Sequence, residues 1–400
     1  MATAHVDMNA KPGQLIVSTR MKTFYSICMF VGLITFIIGL NTSKERIWMS
    51  YLVSLFFFVS LALGGLFFTA IQHATSAGWS VNVRRLSESM VSFLPYGFAL
   101  SLGLIFGGHY IYDWFDPAKM QADPILIKKV GYLNITFFVI RLVAFFSLWL
   151  LFWVKIICPS LKQDETGDEN ISHKLVPWSV GFLVVFALSF SLFSVDTLMS
   201  LDPHWYSTMF GVYTFAGLFQ ASLAFMILLA LWLRGKGLVT NFIKLDHMHD
   251  LGKFLKGFTI FMAYIGFSQF MLIWYANIPE ETEFFIHRSH GYWMVISLSL
   301  LVFKFVVPFL ALLPKWAKKS PAHLTWISLL ILTMEYIDIY WLVYPNLNSS
   351  SPMFNFLELG VFLGFMGVFA FAVTRFLSRN SLIPMKDPRR YESMTHVVTY

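Results

Sequence analysis

Four ionisable side chains, Arg141, Lys304, Glu335 and Asp338, fall inside stretches that are otherwise apolar. A charge held in hydrocarbon is costly, so each must have a partner or a task. Glu335 and Asp338 are three residues apart, which puts them on one face of a helix. Lys304 reaches a similar depth if its own segment runs antiparallel beside theirs. Such a set can do one of two things. It can pair internally and fix how helices pack, or it can relay protons, its carboxyls alternating between charged and neutral forms. Arg141 has parallel options: hydrogen bonds to helix carbonyls, or a grip on a carboxylate or a quinone oxygen.

Further titratable groups gather where apolar stretches end. The run SVDTLMSLDPHWYSTMFG holds Asp196, Asp202 and His204 beside Trp205 and Tyr206. The aromatic pair suits an interfacial anchor, while Asp196 and His204 could accept protons at a quinol headgroup. The run WYANIPEETEFFIHRSHGYW crowds Glu280, Glu281, Glu283, His287, Arg288 and His290 into what reads as one short loop. That is either a solvated acidic loop, or a proton exit or docking surface for another subunit. His109 adds one more group on the same side. On the other side, IQHATSAGWSVNVRRLSES carries Gln72, His73, Thr75 and Ser76, a possible start of a proton uptake path. Arg84 and Arg85, with Glu88, follow there and need no more than a topology signal to explain them. The candidate proton path therefore comprises His73, Arg141, Asp196, Asp202, His204, Glu280, Lys304, Glu335 and Asp338. The candidate quinone contacts are Asp196, His204 and Arg141.

Cys28 and Cys158 form no C-x-x-C-H haem attachment and no iron–sulfur spacing, and read as small apolar fillers. No H-x-x-x-H ligand pair and no Gly-rich phosphate loop stands out. No metal site, no covalently bound cofactor and no catalytic residue is expected in this chain.

The elements that must position these groups are long apolar helices. Of the 400 residues 57% are hydrophobic and only 13% charged, about half the charge of a typical soluble domain. Mean hydropathy is +0.65, so lipid is the solvent for most of the surface, and the 43 phenylalanines suit lipid-facing helix sides. A span needs about 20 apolar residues. Ten stretches qualify: 24–40, 47–72, 90–112, 130–157, 176–197, 209–233, 254–277, 291–313, 323–345 and 354–377. Pro95, Pro177, Pro308 and Pro345 fall near their ends, and no pair of Gly/Pro-broken helices occupies matching positions, which argues against a solute transporter. Of the 29 Lys and Arg residues, 21 lie in the N-terminus, the even-numbered loops and the C-terminus, six in the odd-numbered loops and two within spans. That asymmetry puts both termini in the cytoplasm. The net charge of +7 is thereby read as topology rather than nucleic-acid affinity. No cleavable signal peptide is expected, because no small-residue cleavage pattern follows the first apolar run. The stretch 162–174 reads as a polar cytoplasmic loop, and the tail from about Asn380 as an extended segment that could lie on a partner.

Three stretches, HATSAGWSVNVRR, SLDPHWYSTMFGVYTFAG and LIWYANIPEETEFF, resemble the second quinol-oxidoreductase membrane subunits of bacterial alternative complex III, within the NrfD/polysulfide-reductase membrane-anchor family. WYANIPEET is the most specific element, AGWSVNVRR the next, and the resemblance spans essentially all ten helices. It implies an all-α polytopic membrane protein of two four-helix bundles, spans 2–5 and 6–9, with spans 1 and 10 peripheral. The corresponding divisions are 1–46, 47–197, 198–345 and 346–400. It also implies a multi-pass protein of the bacterial inner membrane, in a respiratory complex that oxidises menaquinol or ubiquinol and passes electrons to cytochrome c or a terminal oxidase. The implied partners are a paralogous membrane subunit, an iron–sulfur protein, multihaem and monohaem c-type cytochromes, small membrane subunits and lipids. Haem c and iron–sulfur clusters would sit in those partners, making this chain a non-redox subunit. Its role is then a proton path coupled to quinol oxidation elsewhere, direct quinol binding, or structural anchoring.

Overall fold

A computed structural model describes residues 10–348 and 351–398. The described residues form helices and no strand. Nine helices are long and apolar enough to cross a membrane, or ten if one bent pair is a single span. Apart from two six-residue helices, Pro117–Ala122 and Pro124–Lys129, the α-helices in chain order begin with α1 (Thr19–Thr42), α2 (Lys44–Ala74), α3 (Val81–Val91), α4 (Leu94–Ser101), α5 (Gly103–Ile111), α6 (Ile135–Thr166), α7 (Asn170–Thr197) and α8 (Phe210–Gly235). There follow α9 (Leu245–Ala276), α10 (Pro279–Arg288), α11 (Gly291–Ser299), a π-helical segment Leu300–Val306, α12 (Val307–Ala311), α13 (Pro321–Val343), α14 (Phe356–Arg379) and α15 (Arg390–Thr395).

Local chemistry sets several ends. Ser18 caps α1 by accepting from the Met21 N–H, and Asn134 caps α6 by accepting from Phe137. Asn355 and Glu358 form a reciprocal capping box at the start of α14. Asn277 closes α9 in the left-handed conformation, φ 49°.

Four sequence expectations are corrected. The third apolar stretch is not one straight helix: Val81–Ser101 and Gly103–Ile111 meet at 59°. Pro95 opens α4, and Gly107 and Gly108 let the Trp48 and Phe115 rings approach where any Cβ would collide. One bent stretch is not a pair in matching positions, so the feature expected of a solute transporter is still not met among the described residues. The loop expected at 162–174 contracts to residues 167–169, because Gln163 bonds across the turn to the Asp168 carbonyl and Ser172. Gly167, at φ 70°, reverses the chain. Pro177 lies inside α7 rather than at its end. The tail does not lie extended. It folds back as α15, burying Ile383 and Met394 against Phe242.

α2 is the central column, buried almost throughout, and packs on α3, α7, α8, α13 and α14. Buried α8 is its neighbour and packs in turn on α9 and α13. α6, α9 and α11 keep much of their apolar surface outward. α1 and α14 pack along a seam where Gly32 lies backbone-to-backbone on Gly364, the small-residue contact by which helices associate in lipid.

The first and last described segments share one end of the bundle. Arg390 donates to the Ala10 carbonyl, the Gly13 N–H to Leu238, and Asn82 to Phe242. At the opposite end Tyr112 donates to the Thr197 carbonyl, Trp205 to Glu281, and Arg46 to Glu358.

Candidate functional site

The most unusual feature of the interior is a three-residue ionic cluster. Lys304, Glu335 and Asp338 are each at most 4% exposed. Lys304 Nζ lies 2.5 Å from Asp338 Oδ2 and 2.7 Å from Glu335 Oε2. α8 supplies the rest of the wall. Tyr213 donates its hydroxyl to Asp338 Oδ1 at 2.6 Å. Gly217 leaves the space that Glu335 fills: a Cβ there would sit 2.6 Å from Oε1. Gln220 donates to the Lys304 carbonyl at 3.4 Å and to Thr259 at 3.0 Å.

The backbone removes one ordinary donor from that carbonyl. Pro308 has no N–H to return to the carbonyl four residues earlier, which is that of Lys304. The helix opens there into the π-helical segment 300–306, a geometry often found at functional positions. Gln220 supplies a side-chain donor to that carbonyl.

The charges do not balance if all three groups ionise: one ammonium faces two carboxylates. Burying a net charge costs several kcal/mol per ion, and one proton on either carboxyl would make the cluster neutral. A buried carboxyl that exchanges a proton in this way can load and release it.

A second cluster lies nearer the opposite end. Arg141 Nε donates to Asp196 Oδ2 at 2.6 Å, and Tyr132 donates its hydroxyl to Asp196 Oδ1 at 2.8 Å. The guanidinium sits over the Tyr132 and Phe137 rings, 3.9 and 4.3 Å from their centroids. Burial, then the neighbouring Asp196 carboxylate, pushes the Tyr132 phenol above its ordinary value, so it stays protonated and donates. Because α6 starts at Ile135, Arg141 lies only two turns from that helix end. Tyr132 also lines a cleft of about 370 Å³, with Lys128, Lys129, Asp202, Trp205 and Tyr206 around it.

The remaining predicted residues are dispersed. His204 is exposed and meets Asp123 at 2.5 Å and Asp202 at 3.9 Å, and it takes no part in the bonds of Asp196. The Ile125 N–H, aided by His204, holds the Asp123 carboxyl below its ordinary value. The expected acidic loop is the helix α10, opened by Pro279. Glu280 is exposed at its start, whereas Arg288 is buried at its end, donating to the Trp341 and Leu342 carbonyls. Arg288 lies within electrostatic reach of both Asp202 and Tyr213. His109 is exposed. His73 is buried in the last turn of α2, its Nε2 without a hydrogen-bond partner among the described residues.

Arg84 and Arg85 are corrected from topology signals to buried anchors. Arg84 meets Asp387 at 2.5 Å, and Arg85 pairs with Glu88 and with Asp164. Among the described residues no group of three or more His, Cys, Asp or Glu is placed to hold a metal, and Cys28 and Cys158 are free thiols.

Sequence reasoning missed Tyr213, Gly217 and Gln220. Their spacing of i, i+4 and i+7 puts them on one helix face, and that was the available signal. It also missed Tyr132 and the buried Glu358, which Arg46 grips with two bonds of 2.7 and 2.9 Å.

Compared with known proteins, the chain matches no family model and no curated relative.

Proposed function

We propose that this chain is the membrane subunit of a respiratory quinol:cytochrome c, or quinol:oxidase, oxidoreductase of the bacterial inner membrane, and that it contributes a transmembrane proton path coupled to quinol oxidation in a partner subunit. The observation that carries this reading is the Lys304–Glu335–Asp338 cluster, an odd-charged and buried set on a π-helical turn. The stretches HATSAGWSVNVRR, SLDPHWYSTMFGVYTFAG and LIWYANIPEETEFF supply the respiratory context by resemblance. Both chain ends face the cytoplasm in this reading, and the odd-numbered loops face outward. Protons enter on the side of His73, reach the cluster, and leave past Tyr213 and Arg288 toward Asp202, His204 and the exposed Glu280. The redox groups belong to the partners: the iron–sulfur protein, the c-type cytochromes and the paralogous membrane subunit.

A second reading is supported by the cleft beside Tyr132. A cleft of about 370 Å³ is on the scale of small-molecule sites, and a quinol headgroup there would stand one hydroxyl away from Asp196. In that reading Tyr132, Asp196 and Arg141 receive the quinol proton. His204 is not part of it, because it faces Asp123 instead.

Proton release per electron in liposomes holding the purified complex separates the two. A proton-path subunit loses yield in Glu335→Gln while quinol oxidation continues. A quinol-binding subunit loses oxidation itself in Asp196→Asn.

A further inference from the structure

The two carboxyls of the central cluster are not equivalent. Asp338 has a donor on each oxygen, the Tyr213 hydroxyl at 2.6 Å on Oδ1 and the Lys304 ammonium at 2.5 Å on Oδ2. Two strong donors suit a permanent anion. Glu335 is placed differently. Its Oε2 has one poorly aligned contact, with Lys304 Nζ at 2.7 Å, and no second donor is seen on it among the described residues. Its Oε1 rests against the bare backbone of Gly217. A carboxylate held by one misaligned contact is less well compensated than one with a strong donor on each oxygen, whereas a neutral carboxylic acid in the same place loses little.

The surroundings agree. The charged groups that act on Glu335 are Lys304 and Asp338. From α8 come the neutral Tyr213, Gly217 and Gln220, and from α2 comes Ser54, which meets Tyr336. Arg288 of α10 acts on Tyr213.

We infer that the exchangeable proton of this cluster resides on Glu335, and that Asp338 is the fixed counter-ion of Lys304. The inference rests on the proton-path reading for its functional meaning. In its loaded form Glu335 is a neutral acid beside a complete Lys304–Asp338 pair. Unloading moves the proton from a Glu335 oxygen to a water or the next acceptor, and leaves a carboxylate that the π-helical Lys304 must turn to meet. Gly217 is the positioning residue, since any side chain there would displace the carboxyl.

Infrared spectroscopy of the purified complex tests this directly. The wild-type-minus-Glu335→Gln spectrum should contain a protonated-carboxyl C=O band that shifts in D2O. That band should move to lower frequency when the protein carries carboxyl-13C glutamate, and stay put with carboxyl-13C aspartate. Gly217→Ala should shift the same band, which keeps the test open if the glutamine variant folds poorly. A band that moves with labelled aspartate, or no band separating wild type from both variants, overturns the inference. The readout is independent of turnover. A Glu335 band with unchanged proton yield in the variant would leave the inference standing and sink the proton-path reading alone.

Discussion

Removing the ammonium of Lys304 should be among the most damaging single changes in the membrane interior. Lys304→Met keeps the length and apolar bulk of the side chain and deletes its charge. Asp338 then loses the 2.5 Å contact on Oδ2 and keeps only Tyr213. Breaking a buried pair by deleting one partner costs about 3–5 kcal/mol, or roughly two to three and a half orders of magnitude in the folding equilibrium. The second-site pattern is more diagnostic than the loss. Adding Asp338→Asn removes the stranded anion and leaves Glu335 neutral, so most of the loss should return. Adding Glu335→Gln leaves the stranded anion in place, so little should return. A double-mutant cycle measured by equilibrium unfolding in lipid micelles gives both coupling energies. A Lys304→Met loss below about 1 kcal/mol, the value of an exposed pair, would refute the burial argument. Better rescue by Glu335→Gln than by Asp338→Asn would refute the assignment of roles.

Other consequences are equally concrete. Arg141→Ala leaves Asp196 buried with Tyr132 alone, and should cost about 3–5 kcal/mol by the same physics; a thermal melt that matches wild type would contradict it. Gly32→Leu forces a side chain into the backbone of Gly364 and should cost about 1–3 kcal/mol as overpacking, seen as a lowered Tm, with Gly131→Ala, which meets nothing, as the silent control. Asp387 titrates in the tail: burial pushes its carboxyl up, but Arg84 outweighs burial and holds it below its ordinary value. Tail docking is therefore fully stabilised above the ordinary aspartate range and lost as pH falls through the lower, folded value. Hydrogen exchange over 385–396 should rise only below that range in wild type, and already at neutral pH in Asp387→Asn, where trypsin should also cut at Arg389 and Arg390; equal protection in both proteins would show that the ion pair does not hold the tail.

Much of the membrane architecture could be read from the sequence because lipid imposes one simple rule, a long apolar run for each crossing. The pairing of Lys304 with Glu335 followed from depth along antiparallel helices. What escaped was set by tertiary contacts that carry no local signature. The bend after Ser101 has no local signature, and the close approach of Trp48 on α2 to Gly107 just beyond it is a contact between helices. Arg84 and Arg85 read as cytoplasmic charges because their partners, Asp387 and Asp164, lie hundreds and tens of residues away. The π-helical segment was hidden because Pro308 acts on a carbonyl, and no side-chain pattern marks that effect. At the candidate site the charges were legible and the neutral wall of Tyr213, Gly217 and Gln220 was not, although its heptad-like spacing was present. Glu358 was overlooked because it stands at a helix start, where an acidic residue is ordinary.

The measurement that bears most directly on the central claim is proton release per electron, taken on liposomes containing the purified complex with wild-type chain or Glu335→Gln. The account predicts a lowered proton yield at a preserved rate of quinol oxidation. An unchanged yield at that preserved rate would contradict it, and would leave the buried cluster of Lys304, Glu335 and Asp338 a packing device.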